Sequence, residues 1–217
     1  RLCGRMLRVL APPMGRGLGG EFAKAASRRC SAAAGSSPAS LAAWLSRPPP
    51  ETLEADVGSN QTAFGKILRR ERRERVLYED ADVLAFRNVK PYAPLAGLVI
   101  PKRFIPQRAI LPDDWRELGG RRERLPVGRG LAAVIETLEA LRGVGGRIAR
   151  EHRFQSGRDG LGDVWLRFHR PPSNSVDHLH LHVVAPVSGI RKWHTFVIFS
   201  DPKLAVDVDQ VLSDLRA

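Results

Sequence analysis

Cysteine is scarce in this sequence of 217 residues: it occurs twice, as Cys3 and Cys30. The rest of the chain therefore has no thiol for a disulfide framework or for a cysteine-ligated metal site. Long apolar runs are also missing, and no stretch reaches the roughly 20 apolar residues that a transmembrane helix needs. We therefore expect a soluble protein that folds in a reducing compartment.

Acidic residues are almost absent from the first 50 residues, which contain only Glu21 against eight lysines and arginines. This segment therefore holds +7 of the formal net charge of +12. Its richness in Ala, Arg, Ser, Gly and Pro is typical of organellar transit peptides, and Arg28-Arg29-Cys30-Ser31 resembles a mitochondrial processing site. A disordered basic arm and an arm that docks on a partner are the alternatives. Because the positive charge lies mostly in this segment, nucleic acid is not predicted as a partner of the folded domain.

Three regions are predicted along the chain. Residues 1–50 form a basic extension, as a targeting segment or a docking arm, and Pro48-Pro49-Pro50 ends it as a stiff linker. Residues 51–61 are polar and are predicted to be an irregular linker. Residues 62–217 form one domain. The extension predicts a mitochondrial location, with another organelle or the cytoplasm as alternatives.

Apolar periodicity predicts an α+β domain, with an antiparallel sheet of about five strands, one long helix and a C-terminal helix. Strands are predicted near 75–79, 82–87, 96–101, 163–168 and 175–184, with a further edge strand at 191–200. Helices are predicted at 64–75, from 112 to 117, at 131–141 and at 206–215. Gly143-Val144-Gly145-Gly146 is expected to interrupt the main helix, and 119–130 is expected to be an inserted basic loop.

Three of the six histidines stand at every second position, as His178, His180 and His182. Leucines and valines fill the positions between and after them, which predicts a strand with the imidazoles on one face. Three interpretations are open. The imidazoles hold a metal ion with help from His169, or one of them attacks phosphorus as a nucleophile, or they simply face water.

The motif His178-Leu-His180-Leu-His182-Val-Val resembles the signature of the histidine triad superfamily. The approach Phe168-His169-Arg170-Pro171-Pro172, with Ser175 three residues before the first histidine, is similar to the branch of histidine triad nucleotide-binding proteins nearest aprataxin. Upstream, residues 76–86, Pro91-Tyr92-Ala93-Pro94 and 98–102 look like the first hairpin, loop and strand of that family. The resemblance covers about residues 62 to 187.

The resemblance implies the histidine triad fold and a hydrolase that cleaves purine nucleoside phosphoramidates or related nucleotide conjugates. His180 would attack the α-phosphorus and form a nucleotidyl-histidine intermediate, and His178 would orient it. His182 and Ser175 would interact with the phosphate oxygens and the leaving group. No cofactor and no metal ion are implied. The implied nucleotide-binding positions are Asn88, Phe64, Leu84, Phe86 and Arg167.

Several positions depart from the family pattern. Histidines are replaced by Ala96 and Phe104, and a frequent cysteine is replaced by Gly65. The ribose-binding acid is replaced by Asn88, which predicts weaker nucleotide affinity because a charged hydrogen bond is lost. Arg167 stands where the family often has asparagine, so it would reach a phosphate or block the pocket.

These departures leave a second function open, a catalytically reduced accessory subunit of a mitochondrial ribosome or respiratory complex. The expected ligand is a purine nucleotide. The expected protein partner is a second copy of the chain or a larger mitochondrial complex, bound through the basic extension. Aprataxin-like repair of nucleic acid ends is a third reading, but the domain has no cysteine for the zinc finger that accompanies it.

Overall fold

The computed structural model describes residues 50–111, 129–155, 163–171 and 173–217. The helices are α1 (Leu53–Ser59), α2 (Ala63–Leu68), α3 (Gln107–Ile110), α4 (Arg129–Gln155), α5 (Trp193–Ser200) and α6 (Val208–Arg216), with a 3₁₀ turn at Val187–Gly189. The strands are β1 (Val76–Glu79), β2 (Val83–Arg87), β3 (Leu95–Pro101), β4 (Trp165–His169), β5 (Leu181–Ala185) and β6 (Ala205–Asp207). None of the helices in these ranges is long and apolar enough to span a bilayer.

The strands form one antiparallel sheet in the order β1-β2-β3-β5-β4-β6. The predicted α+β class is confirmed, with six strands in place of about five. The edge strand predicted at 191–200 is wrong, because that stretch forms α5. Phe196 and Phe199, three residues apart, both pack on Trp165, with ring centroids 5.4 and 6.2 Å away. Helical spacing brings side chains three apart onto one face, whereas a strand would separate them. The edge strand β6 was not predicted.

The main helix α4 continues through the glycines that were expected to interrupt it. It runs for 27 residues, well past Gly143-Val144-Gly145-Gly146. A Cβ atom on Gly145 would lie 3.1–3.2 Å from side-chain atoms of Val183, Leu166 and Leu181. The glycine therefore permits close packing of α4 on the sheet, and that burial outweighs the low helix propensity of glycine.

The stretch 51–60, predicted to be irregular, contains α1. The hydroxyl of Thr52 caps this helix by accepting the N–H of Ala55 at 3.1 Å. Asp56 is buried and accepts the N–H of Phe104 at 2.7 Å, so α1 is packed on the domain that it was expected to precede as a linker. The helix predicted at 64–75 is shorter than expected, since α2 ends at Leu68.

The C-terminal helix is confirmed as α6. Three further expectations fall on residues outside the described ranges. These are the extension 1–50 apart from Pro50, the helix start at 112–117, and the basic loop 119–130 apart from residues 129 and 130, which begin α4.

Two of the buried clusters lie on opposite sides of the sheet. One lies under α4 and α6 and includes Leu138, Leu141, Leu181 and Val183. The other lies on the opposite side under α2 and consists of Phe64, Ile67, Leu84, Phe86, Leu98 and Ile100. Alternate residues of β2 and β3 enter one cluster or the other, as the period of a strand requires. The second cluster forms the floor of the candidate site.

Candidate active site

The histidine stretch is a strand only in its second half. Of the predicted strand 175–184, β5 includes only the residues from Leu181 onwards. The N–H of Leu179 donates to Ile105 O at 2.7 Å, and the N–H of His180 donates to the side-chain oxygen of Gln107 at 3.2 Å. These bonds hold the backbone before β5 outside the hydrogen-bonding ladder of the sheet. The strand is therefore shorter than predicted.

The predicted alternation is nevertheless present. The exposed fractions of His178, His180 and His182 are 0, 3 and 6 %. The ring centroid of Phe64 lies 5.8 Å from that of His178 and 5.1 Å from that of His180, and the His180 and His182 centroids are 5.1 Å apart. The imidazoles are therefore gathered together and buried, so the interpretation that they simply face water is wrong.

His178 is locked by hydrogen bonds at both ring nitrogens. Its Nδ1 lies 3.0 Å from Nδ2 of Asn60, and its Nε2 lies 3.0 Å from Pro101 O. The N–H and hydroxyl of Thr62 both donate to Oδ1 of Asn60, at 3.0 and 2.7 Å. This orients the Asn60 amide with its NH₂ toward His178, so the ring proton is on Nε2. Burial lowers the pKa of His178 to about 3, so the ring is neutral.

The tight approach of α1 to α2 fixes Asn60. A Cβ atom on Gly65 would lie only 2.0 Å from the backbone oxygen of Asn60. The same oxygen accepts a 2.7 Å hydrogen bond from the guanidinium of Arg69. The cysteine that the family often has at the position of Gly65 would not fit this arrangement.

His180 has the tautomer that a nucleophile needs. Its Nδ1 donates to the backbone oxygen of His178 at 2.7 Å. With the proton on Nδ1, the neutral ring carries its free lone pair on Nε2. Burial lowers the pKa of His180 to about 4, so the lone pair is available at neutral pH. This geometry suits attack on an electrophile in the cavity that His180 lines.

Two more imidazoles extend the cluster. The hydroxyl of Tyr92 lies 3.3 Å from Nδ1 of His182, and the ring centroid of His169 lies 4.3 Å from that of His182. Burial raises the pKa of Tyr92, so its hydroxyl keeps its proton and donates. Burial lowers the pKa of His169 to about 4 and that of His182 well below its usual value. The Nε2 atoms of both histidines are buried with no hydrogen-bond partner among the described residues. Both residues line the cavity.

A cavity of about 430 Å³ opens in front of these rings. The predicted site residues that line it are Ser175, His180, His182, Phe64, Phe86 and Asn88. Helix α5 closes one side with Thr195 and Phe199, and Arg72 and Glu74 stand on another side. The cavity therefore joins the histidine cluster to an aromatic and aliphatic floor.

Three predicted site residues do not line this cavity. His178 is fully buried, and its backbone oxygen accepts the Nδ1 proton of His180. Leu84 is 1 % exposed and belongs to the apolar cluster under α2. Arg167 neither blocks the cavity nor lines it, because its guanidinium donates to Phe199 O and lies over the ring of Trp165, 4.6 Å from the centroid.

The sequence did not identify Asn60, Gln107, Tyr92 or Thr195 as site residues. Asn60 is 118 positions from His178, and nothing in a single sequence marks such a pair. Thr195 was missed because α5 was taken for a strand. His169 was considered only as a metal ligand. Among the described residues, no group of three or more His, Cys, Asp or Glu side chains is arranged to hold a metal ion.

Phe104 shows how one departure from the family pattern is accommodated. It stands where the resemblance led us to expect a histidine, and its ring packs edge-on against His178, with centroids 5.5 Å apart. Ala96, at the other such position, is fully buried on β3 opposite Val184. Both positions therefore contribute apolar contacts in place of imidazoles.

Sequence comparisons identify the family. A family model described as the C-terminal binding region of scavenger mRNA decapping enzyme matches residues 61–118. Adenosine 5′-monophosphoramidase HINT3 of Mus musculus is 30% identical over 138 residues, which are 64% of this chain and 70% of the relative. The bifunctional adenosine 5′-phosphosulfate phosphorylase/adenylylsulfatase HINT4 of Arabidopsis thaliana is 36% identical over 129 residues, which are 59% of this chain and 73% of the relative. The chain belongs to the histidine triad superfamily, in the branch of the histidine triad nucleotide-binding proteins.

One further relative and two solved structures are also similar to this chain. HINT3 of Danio rerio is 33% identical over 124 residues, and the match spans 57% of this chain and 62% of that relative. A HIT family hydrolase from Legionella pneumophila has a solved structure that is 24% identical, with 57% of this chain and 90% of that chain covered and a TM-score of 0.38. A structure described as Hnt3 in complex with DNA and guanosine is 19% identical, with 70% and 75% covered and a TM-score of 0.44.

Proposed function

We propose that this protein is a nucleotide hydrolase that cleaves purine nucleoside phosphoramidates or related nucleotide conjugates through a nucleotidyl-histidine intermediate. The observation that carries the proposal is the tautomer of His180, whose Nδ1 is held by the backbone while Nε2 keeps its lone pair at the cavity. The similar proteins from mouse and zebrafish are named adenosine 5′-monophosphoramidases, which supports the same chemistry here.

The first step forms one bond and breaks one. The Nε2 lone pair of His180 attacks the α-phosphorus and forms a P–N bond, while the bond between phosphorus and the leaving nitrogen breaks and its electron pair goes to that nitrogen. The imidazole of His180 becomes positively charged in this step, and its Nδ1–H bond to the His178 oxygen strengthens as the charge develops. This hydrogen bond is present before the reaction, so the stabilisation requires no reorganisation.

The leaving nitrogen must gain a proton as it departs. His182 and His169 line the cavity, and their Nε2 atoms have no hydrogen-bond partner among the residues that the structure describes. Ser175 brings a hydroxyl to the same cavity. Because Tyr92 donates to Nδ1 of His182, the proton of this neutral ring is on Nε2, where it can donate a hydrogen bond to a phosphate oxygen. A water molecule gives the leaving nitrogen its proton, since a neutral imidazole that lost its only ring proton would become an anion. The hydroxide that remains attacks phosphorus, the P–N bond breaks with its electron pair returning to Nε2 of His180, and the nucleoside monophosphate is released.

The floor of the cavity suits a purine. Phe64, Ile67 and Phe86 line it with flat and branched apolar surface beside the histidines. Burial of this surface by a base contributes binding energy without directional bonds, as most small-molecule sites do. The base would therefore lie under α2 and the phosphate at His180.

Turnover of adenosine 5′-phosphoramidate by the purified full chain tests the proposal. We expect release of AMP by the wild type and none above background by His180→Ala. His152→Ala, which removes an imidazole from α4, is the matched control and should retain turnover. Equal rates in wild type and His180→Ala would contradict the proposal.

The alternative of an accessory subunit in a mitochondrial ribosome or respiratory complex gains no support from the relatives. It was based on the basic extension, on the loop 119–130 and on the departures from the family pattern, and the first two fall almost entirely outside the described residues. The mitochondrial location and a homodimer remain predictions. Import of the tagged full chain into isolated mitochondria tests the first, and sedimentation equilibrium tests the second.

A further inference from the structure

One imidazole of the cavity differs from the others in its surroundings. The described residues that line the cavity include four histidines: His169, His180, His182 and His194. Burial lowers the pKa of His169 and of His180 to about 4 and that of His182 well below its usual value, so these three rings are neutral at neutral pH. His194 is exposed to solvent instead, and no described residue forms a hydrogen bond or an ion pair with its side chain. Its ring therefore remains in water beside a cavity of buried rings.

Helix α5 holds His194 next to the imidazole cluster. The residues of α5 that line the cavity have the spacing of one side of a helix: His194, Thr195, Ile198 and Phe199. The ring centroid of Phe199 lies 5.1 Å from that of His182, and just before α5 the N–H of Arg191 donates to Tyr92 O at 2.9 Å. His194 comes five positions before Phe199, a rise of about 7.5 Å along the helix axis. It thus lies on the solvent side of the buried rings.

Proton transfer is the part of the proposed reaction that the buried rings do not perform. Water gives the leaving nitrogen its proton, and neutral rings with lowered pKa values cannot replace that proton. An imidazole in water both gains and loses a proton between about pH 5 and 8. Transfer through one water molecule is sufficient for acid and base catalysis. An exposed imidazole at the edge of the cavity can therefore supply the missing proton.

We propose that His194 acts as acid and base for the leaving amine through one water molecule. The inference rests on the proposed nucleotide hydrolase function and adds a residue to it. The imidazolium of His194 gives a proton to this water molecule as the water gives one of its own to the leaving nitrogen, and the P–N bond of the substrate breaks. When water then attacks phosphorus, its O–H bond breaks and the neutral ring of His194 takes the proton. The bond to His180 breaks with its electron pair returning to Nε2, so hydroxide forms only as it attacks.

This role favours one class of leaving group. The nitrogen of an alkylamine is strongly basic, so its bond to phosphorus breaks readily only when the nitrogen receives a proton. The nitrogen of 4-nitroaniline is weakly basic because its ring withdraws electrons, and it leaves with less help from an acid. The dependence of the rate on the acid should follow the basicity of the leaving group. We therefore expect His194 to matter most for conjugates of basic amines.

Turnover of two phosphoramidates by the purified full chain tests this role. One carries butylamine on the 5′-phosphate of AMP, and the other carries 4-nitroaniline. The quantity compared is kcat/KM, which covers every step up to departure of the amine. The variant is His194→Gln, which keeps a polar side chain and cannot transfer a proton. The matched control is Lys192→Gln, because Lys192 is an exposed cation at the start of α5 that makes no side-chain cap and does not line the cavity.

We expect His194→Gln to lower kcat/KM by on the order of 100-fold for the butylamine conjugate and by about threefold or less for the 4-nitroaniline conjugate. Lys192→Gln should change either value by about twofold or less, because an exposed charge is screened by salt.

A fall in His194→Gln that is equal for both conjugates, larger for the 4-nitroaniline conjugate or absent for both would overturn the inference. The proposed function would stand in each of these cases if His180→Ala remained inactive. The same selective fall in Lys192→Gln would also overturn the inference, because the charge at this end of α5 would then matter and not a proton from His194. No turnover of either conjugate by the wild type would overturn both proposals.

Discussion

The two sides of the histidine segment are buried to the same degree but are built from different chemistry. On the α4 side, Leu179, Leu181 and Val183 are at most 1% exposed. On the site side, the three alternating histidines are at most 6% exposed. Removing a leucine from water stabilises the fold by about 1.5–3 kcal/mol. Removing an imidazole from water depresses its pKa and favours its neutral form.

The difference shows how one segment serves both stability and chemistry. The apolar side fixes the position of the backbone, and through it the position of the His178 oxygen that holds His180. The polar side must then satisfy its ring nitrogens individually, through Asn60, Pro101 O and Tyr92. Substitutions on the two sides should therefore have different effects. Those on the apolar side should change the free energy of unfolding, and those on the polar side should change turnover.

The largest effect is expected from His180→Asn. Loss of the nucleophile should lower kcat for adenosine 5′-phosphoramidate by on the order of 10⁴-fold or more. The free energy of unfolding in urea should change little, because no apolar contact of α4 is lost. A fall of kcat by less than about tenfold would mean that another group attacks phosphorus.

On the opposite side, Leu181→Ala should lower the free energy of unfolding by about 2–5 kcal/mol, because it leaves a cavity between β5 and α4. The kcat of the protein that remains folded should stay near that of the wild type. Urea unfolding and turnover measured on the same samples check both statements. If Leu181→Ala lowered kcat and left the free energy of unfolding unchanged, the proposed difference between the two sides would be contradicted.

Acid should destabilise the protein through the histidine side. Burial lowers the pKa of His178 to about 3 and that of His180 to about 4, from an ordinary value of 6.5. The unfolded chain therefore binds more protons below pH 6.5, and the stability present above that pH is lost as the pH falls toward 4. We expect a loss of about 2–4 kcal/mol between pH 7.5 and pH 5, measured by urea unfolding. Constant stability over this range would show that the imidazoles are solvated.

A smaller effect is expected from Asn60→Ala. It removes the partner of His178 Nδ1, frees that ring to change tautomer and should lower kcat by about tenfold with little change in KM. The control is Thr52→Ala, which removes the cap of α1 and costs about 1 kcal/mol of stability without touching His178. If both variants lower kcat equally, Asn60 acts only through the stability of α1.

The alternation of the histidine segment was predictable, because a period of two with leucines and valines between the imidazoles determines which side each residue faces. The strands β1 to β4 were also predictable from short apolar runs bounded by turn residues. The limits of β5 were not, because the backbone before it bonds to Ile105 and to the side chain of Gln107, far away in the sequence.

Other features depended on tertiary contacts that no local pattern records. The glycines of α4 resemble a helix break, and only the approach of Gly145 to Val183 explains why the helix continues. The polar segment before α2 resembles a linker, although Asp56 and Asn60 are buried in contacts with distant residues. The polar sequence of this segment thus predicted that its side chains are exposed. They are buried instead, because hydrogen bonds to distant residues compensate for the cost of burying them.

The central claim is that His180 enters the reaction as a neutral ring with its proton on Nδ1 and its lone pair on Nε2. Nitrogen-15 NMR of the histidine rings at pH 5.5, with His180→Asn used to assign the signals, measures this state directly. The account predicts a neutral His180 protonated at Nδ1 and a neutral His178 protonated at Nε2. A His180 ring that carries protons on both nitrogens at this pH would contradict it.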